Sequence, residues 1–191
     1  MQITEEKTLW YEVGEVYEEK FINDIAPRLN INAQINPEKE LKPWVHDIIV
    51  DGRPSDLKRQ TQPFFTSGKY GYETQYTITL NRKDIENYGS KHDPIDFRIY
   101  WWVSWEDGEN FGQAVHRMHG IWYASLGEII ALGNDPNAKW HYYERRGNGD
   151  VNNNATHSLL IDLRQTCMLY YNGFGRPLDM RKTFPTEYNC N

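Results

Sequence analysis

The chain has 191 residues, 39% of them hydrophobic and 25% charged, with a net charge of −6 and a pI near 5.5. That length suits one domain with an ample core, and no stretch is long and apolar enough to read as a transmembrane helix. The acidic balance weighs against a protein that holds nucleic acid through bulk positive charge, although a local basic surface is compatible with it. The first residues, Met1 to Lys7, lack the apolar core of a signal peptide, so a cytoplasmic location is expected.

Cys167 and Cys190 are the only two cysteines, and neither has metal-cluster spacing. Cys167 reads as a small core residue and Cys190 as part of a tail. A bridge between them is open, with nothing in the sequence to support it. Seven Trp, thirteen Tyr and seven Phe must build most of the core, because large rings bury much apolar area.

In chain order, Leu9 to Leu29 repeats apolar residues at helical steps: Leu9, Val13, Val16, Tyr17, Phe21, Ile25 and Leu29. Pro27 predicts that the regular helix ends near Ile25. On this helix Glu12, Glu15 and Glu19 fall away from the apolar stripe, while Glu18 lies at its edge and asks for a partner. Asn30 to Lys42 is polar and reads as a connector with a bend at Asn36-Pro37.

Val45 to Val50 and the segment after Asp51-Gly52 predict a tight β-hairpin. Thr61 to Gly71 reads as a loop. Gln75 to Leu80 predicts a strand, with Asn81 capping a short helix from Arg82 to Tyr88. Ile95 to Trp105 alternates strongly: Phe97, Ile99, Trp101, Val103 and Trp105 share the face of a core strand.

Val115 to Leu132 carries a mixed pattern, with a helix expected in its second half. Trp140 to Tyr143, Ser158 to Leu163 and Met168 to Tyr171 read as strands. Arg146 to Thr156 reads as a surface loop, and the chain from about 172 as a poorly regular tail. The order of elements predicts a single α/β domain over residues 1–191 with a mixed sheet.

The hairpin carries the chemistry. With Asp51 and Gly52 as its turn, Val50 faces Arg53 and Asp47 falls opposite Asp56. Opposed carboxylates repel each other, and strand alternation turns Asp56, Lys58 and Gln60 to the side of Asp47. Two acids placed this close are accounted for by a shared divalent cation. Beside it, an ammonium at Lys58 can activate water and steady an anionic transition state. The alternative is a solvated face on which Lys58 neutralises its neighbours. Asp51 reads as a turn former, not a ligand.

Gly-x-x-x-Glu on a helix (Gly14 to Glu18), an acid on a strand (Asp47) and Asp-x-Lys-x-Gln on the next (Asp56, Lys58, Gln60) together resemble the PD-(D/E)xK nucleases, the restriction-endonuclease-like superfamily. The likeness in motifs covers about residues 9–105. His46 stands where the namesake Pro would be, with Pro43 displaced upstream. The resemblance implies a restriction-endonuclease-like core, a mixed central sheet flanked by helices. It implies that Asp47, Asp56 and the backbone carbonyl of Leu57 hold Mg²⁺ or Mn²⁺, and that Glu18 serves a second metal or a metal-bound water. Lys58 would position or deprotonate the attacking water, and Gln60 would orient substrate or water. Phosphodiester hydrolysis asks for the same parts: a Lewis acid, an activated water and a cationic partner.

The leading expectation is therefore a Mg²⁺-dependent deoxyribonuclease, an endonuclease encoded by a phage or mobile element. The runner-up is a catalytically silent protein of the same fold that binds nucleic acid or a protein partner, such as a phage inhibitor or assembly factor. A third reading makes His92, His116 and His119 metal ligands, with no convincing ligand spacing. Candidate DNA contacts are Arg59, Lys69, Tyr70, Arg82, Lys83, Arg145 and Arg146. DNA is the expected partner, a homodimer or a protein partner stays open, and no membrane is expected.

Overall fold

The structure is a computed structural model that describes residues 14–39, 41–42, 45–142 and 157–173, the last three as backbone. Residues 14–20 form helix α1, whose ladder widens into a π-helical turn over Phe21–Ile25 and tightens into a 3₁₀ turn over Ala26–Leu29. Pro27 sits in the first turn of the 3₁₀ segment, where its missing N–H costs nothing. Left-handed Asn30, with φ of 55°, ends the helical stretch. The regular α-helix therefore stops earlier than periodicity alone suggests. The expected start at Leu9 lies outside the described residues.

Asn30 to Lys42 is not a bare connector. It contains strand β1 (Ala33–Ile35), which pairs antiparallel with β2 (Ile48–Val50). Strand β3 (Arg53–Gln60) follows β2 across the hairpin, with Val50 opposite Arg53 and Ile48 opposite Ser55. Both turn residues have positive φ, Asp51 at 49° and Gly52 at 77°, as a primed hairpin turn requires. The Asp51 carboxylate accepts from Asn32 N–H at 2.9 Å. Asp51 thus anchors the turn to the chain leading into β1.

Strand β4 (Thr77–Asn81) leads directly into helix α2 (Arg82–Gly89). Asn81 holds the N-cap position but its side chain does not cap the helix; its Oδ1 accepts from Ser158 Oγ at 3.0 Å instead. A neighbouring strand has taken the oxygen that the helix end would use.

Strand β5 (Arg98–Trp105) is central, parallel to β3 and antiparallel to β8 (Met118–Ser125). Strands β6 (Gly108–Asn110) and β7 (Gln113–Val115) form a small hairpin. The first half of Val115 to Leu132 is thus a strand, and the helix of its second half is α3 (Leu126–Asn134), closed by a capping box between Ser125 and Glu128. Strands β9 (Trp140–Tyr142), β10 (His157–Asp162) and β11 (Cys167–Gly173) overlap the three segments expected to be strands.

The result is an α/β fold with a mixed six-stranded sheet in the order β1-β2-β3-β5-β8-β11 and a second sheet ordered β4-β10-β9. The large sheet divides two apolar layers. On one face Phe97, Ile99, Trp101, Val103, Trp105 and Trp122 pack with residues of α2, α3 and the second sheet. On the other, Tyr100, Ile121, Ile48 and Val50 receive Phe21, Ile22 and Ile25 from the N-terminal helical stretch. Gly120 lets β8 lie tight in the sheet, since a Cβ there would come within 2.6 Å of the Tyr170 carbonyl oxygen. Cys167 is half-buried in the second layer; Cys190 lies outside the described residues. Among the described residues no helix is long and apolar enough to cross a membrane.

Candidate active site

Pairing between β2 and β3 stops at Ile48 and Ser55, and β3 runs on past the end of β2. Asp47 stands just before β2 and Asp56 just beyond that last pair. Alternation puts Asp47, Asp56 and Lys58 on the face that also carries Ile99 and Trp101, while Leu57 turns to the opposite layer. The two carboxyls lie side by side, close enough for each to act on the other's charge. Asp56 is buried and Asp47 is about three-quarters shielded, with 27% of its side chain exposed.

Burial and the neighbouring Asp56 carboxylate push Asp47 up to about 8, with Glu18 adding to the effect and Lys39 opposing it. Burial acts on Asp56 too, but the Lys58 ammonium, with Asp47 and Tyr88 beside it, holds it below the usual carboxylate range. At neutral pH the pair therefore holds one proton between two acids, as close carboxylates must when no cation joins them.

Lys58 Nζ lies 2.9 Å from Asp56 Oδ2 and 3.1 Å from Asp84 Oδ2, and donates to the Tyr88 hydroxyl at 3.1 Å. Burial works against its charge, but Asp56, Tyr88 and Asp84 outweigh it and hold Lys58 well above the ordinary lysine range. Asp84 and Tyr88 come from α2, one turn apart on the face that also buries Ile85. Tyr88 is fixed by stacking on Phe97, ring centroids 4.7 Å apart.

The other flank is built by the turn after β1. Buried Asn36 donates through Nδ2 to the His46 carbonyl at 3.0 Å, and its backbone N–H donates to the Asp47 carbonyl at 3.0 Å. Its Oδ1 accepts from Glu38 N–H at 3.1 Å, so one side chain ties this turn to the segment entering β2. The turn presents Lys39, whose Nζ donates to Glu18 Oε2 and lies 3.3 Å from Asp47 Oδ1. Glu18 is 7% exposed. The ammonium stays charged: burial opposes it, but the bonds to Glu18 and Asp47 raise Lys39 above its ordinary value.

Glu18, Asp47, Asp56 and Lys58 are thus brought into one chain of contacts. Gln60 stands further along β3: its Nε2 donates to the Gln62 carbonyl at 3.2 Å and its Oε1 accepts from Thr79 N–H at 3.4 Å. Lys58, Gln60, Phe64, Asn81 and Asp84 line a cleft of about 480 Å³ that opens beside the lysine. Lys39, Asp84 and Tyr88 are members of the site that sequence reasoning did not find. The four-residue spacing of Asp84 and Tyr88 on a predicted helix was the available signal; Lys39 had none.

The donor set fits a hard divalent cation. Asp56 Oδ2 is fully shielded and, although Lys58 is close, has no hydrogen bond of good geometry. The approach of the Asp47 and Asp56 carboxyls marks where a cation would join them. Among the described residues no three His, Cys, Asp or Glu side chains converge to cage an ion. Two carboxylates with water and substrate oxygens are the habitual setting of Mg²⁺.

The remaining candidates are scattered. Arg59 turns to the opposite layer and lies 3.6 Å from the centroid of the Tyr17 ring. Lys69 is exposed on a 3₁₀ turn, and the adjacent Tyr70 hydroxyl is 2.8 Å from His141 Nδ1. Arg82 and Lys83 open α2, with Arg82 paired to Glu86. Arg145 and Arg146 lie outside the described residues. The histidines do not form one site: His92 stacks on Phe97 before β5, whereas His119 lies 2.8 Å from Ser104 near the end of that strand. His116 lies between β7 and β8, and His119 lies within β8.

No family model, curated protein or solved structure matches this chain.

Proposed function

We propose that the protein is a metal-dependent nuclease that hydrolyses DNA phosphodiester bonds, with a restriction-endonuclease-like core. The observation that carries this reading is the carboxyl-to-carboxyl contact of Asp47 and Asp56 with the Lys58 ammonium against Asp56. A bound Mg²⁺ or Mn²⁺ would supply Lewis-acid polarisation of a phosphoryl oxygen and of a water. Asp47 and Asp56 would hold the ion, together with the Leu57 carbonyl. Lys58, kept charged by Asp56 and Asp84, serves as the electrostatic partner of the developing phosphoryl charge and orients the attacking water. A lysine held this strongly in its protonated form is a poor general base, so positioning is the role its surroundings favour. Gln60 and Asn81 line the cleft beside it and contact the substrate.

The test is incubation of plasmid, linear and branched DNA with Mg²⁺, Mn²⁺ or EDTA, comparing wild type with Asp56→Asn and Lys58→Ala. Cleavage that needs the metal and is lost in both variants is expected. Cleavage surviving both substitutions would remove the site assignment, and no cleavage of any substrate would favour a silent protein of this fold that binds nucleic acid or a protein partner.

A further inference from the structure

Glu18 does not reach the acid pair directly; an ammonium stands between them. Lys39 Nζ touches Glu18 and lies 3.3 Å from Asp47 Oδ1, with only 19% of its side chain exposed. This is unlike a surface pair such as Lys42 with Glu38, where both side chains are about half exposed or more. Lys39 is also held from behind. Its backbone N–H donates to the Asn36 carbonyl at 3.0 Å, and the buried Asn36 amide fixes that turn against His46.

We propose that the site takes one divalent ion, not two, because Lys39 supplies the second cation. The inference rests on the metal-dependent reading above and departs from the expectation that Glu18 serves a second metal. A second ion would need Glu18 and the outer oxygen of Asp47 as ligands, and both already face the ammonium.

Charge favours the same count. The connected cluster contains four carboxylates, Glu18, Asp47, Asp56 and Asp84, and two ammoniums, Lys39 and Lys58. With all four carboxylates ionised the cluster carries two negative charges in excess, and one divalent ion between Asp47 and Asp56 makes it neutral. A further divalent ion leaves an excess of two positive charges in a largely shielded place, a costly arrangement unless the ammonium leaves. Lys39 is in this sense a positioning residue: it fixes Asp47 and balances Glu18 without needing to touch the scissile phosphate.

Mn²⁺ titration of the full chain without DNA tests this, with bound and free ion counted by electron paramagnetic resonance and the heat followed by calorimetry. Wild type is expected to bind one ion, Lys39→Met two, and Lys39→Arg, which retains a cation, one. Two ions in wild type, or one in a folded Lys39→Met, overturns the inference and leaves the nuclease reading standing. No ion bound in wild type removes both. A count of two in wild type overturns the inference whether or not any variant folds.

Discussion

Two charged networks in this molecule are made of similar parts and arranged on opposite principles. Around Arg164, one guanidinium serves two acids: Nε and Nη2 donate to Asp162 at 2.9 and 2.6 Å, and Nη1 donates to Glu73 at 2.7 Å. The same guanidinium lies 4.8 Å from the Tyr76 ring centroid, and each acid faces the cation. In the network on β3, carboxyl meets carboxyl, and burial with that contact lifts Asp47 to about 8. The first arrangement is what folding alone selects, a fork matched to its acceptors. The second costs free energy in the isolated protein, and a ligand that brings positive charge would relieve it.

The contrast predicts opposite outcomes for removing each central cation. On the proposed nuclease reading, Lys58→Met should lower single-turnover cleavage by about 10²–10³-fold, the usual cost of losing one preorganised electrostatic partner. Arg164→Met should leave the cleavage rate of the folded protein intact and lower stability by about 2 kcal/mol, read from the denaturant midpoint, as for loss of hydrogen bonds between charged groups. Equal loss of cleavage in both variants would erase the distinction.

A smaller effect should appear in stability against pH. Asp47 keeps its proton in the native chain up to about pH 8 but loses it near its ordinary value when unfolded. The native state therefore binds more protons between those values, and stability falls as pH rises toward 8 and levels off above it. His46, His92 and His141 are depressed by burial and act in the opposite direction only below about pH 6.5, the ordinary histidine value. The raised Lys39, Lys58 and Tyr88 act only above pH 10. Thermal unfolding of metal-free protein between pH 7 and 9 should thus show a falling midpoint, flattened in Asp47→Asn and restored by Mn²⁺. A midpoint that stays level in wild type would place the proton elsewhere.

How far the sequence discloses these networks depends on how local their geometry is. The pair Asp47 and Asp56 follows from a two-residue turn and the strand period, both short-range rules, and the register agrees. Glu18 follows from helical periodicity. Lys39 depends on a buried asparagine ten residues from the backbone it binds, and Asp84 on how α2 returns to β3, so neither is written in a local pattern. Strand β8 hides for a different reason. Met118, Gly120, Ile121, Trp122, Tyr123 and Ala124 are all buried, so a strand covered on both faces shows no alternation. β1, three residues long, is too short to show a period at all.

The smallest expected effect calibrates both networks. Arg82 and Glu86 stand one turn apart on α2, 2.8 Å between Nε and Oε1, with 57% and 62% of their side chains exposed. Water screens such a pair and its side chains lose rotamer freedom in making it, so a double-mutant cycle with Arg82→Ala and Glu86→Ala should give a coupling of about 0.3–0.5 kcal/mol. Raising the salt concentration should shrink it further. The corresponding cycle on Arg164 and Asp162 should exceed it several-fold, since those side chains are only 26% and 16% exposed and the contact is a fork. If the two couplings came out equal, geometry and burial would not separate a structural clamp from a surface pair in this protein. The Arg164 network could then no longer serve as the stable standard against which the opposed acids on β3 are read.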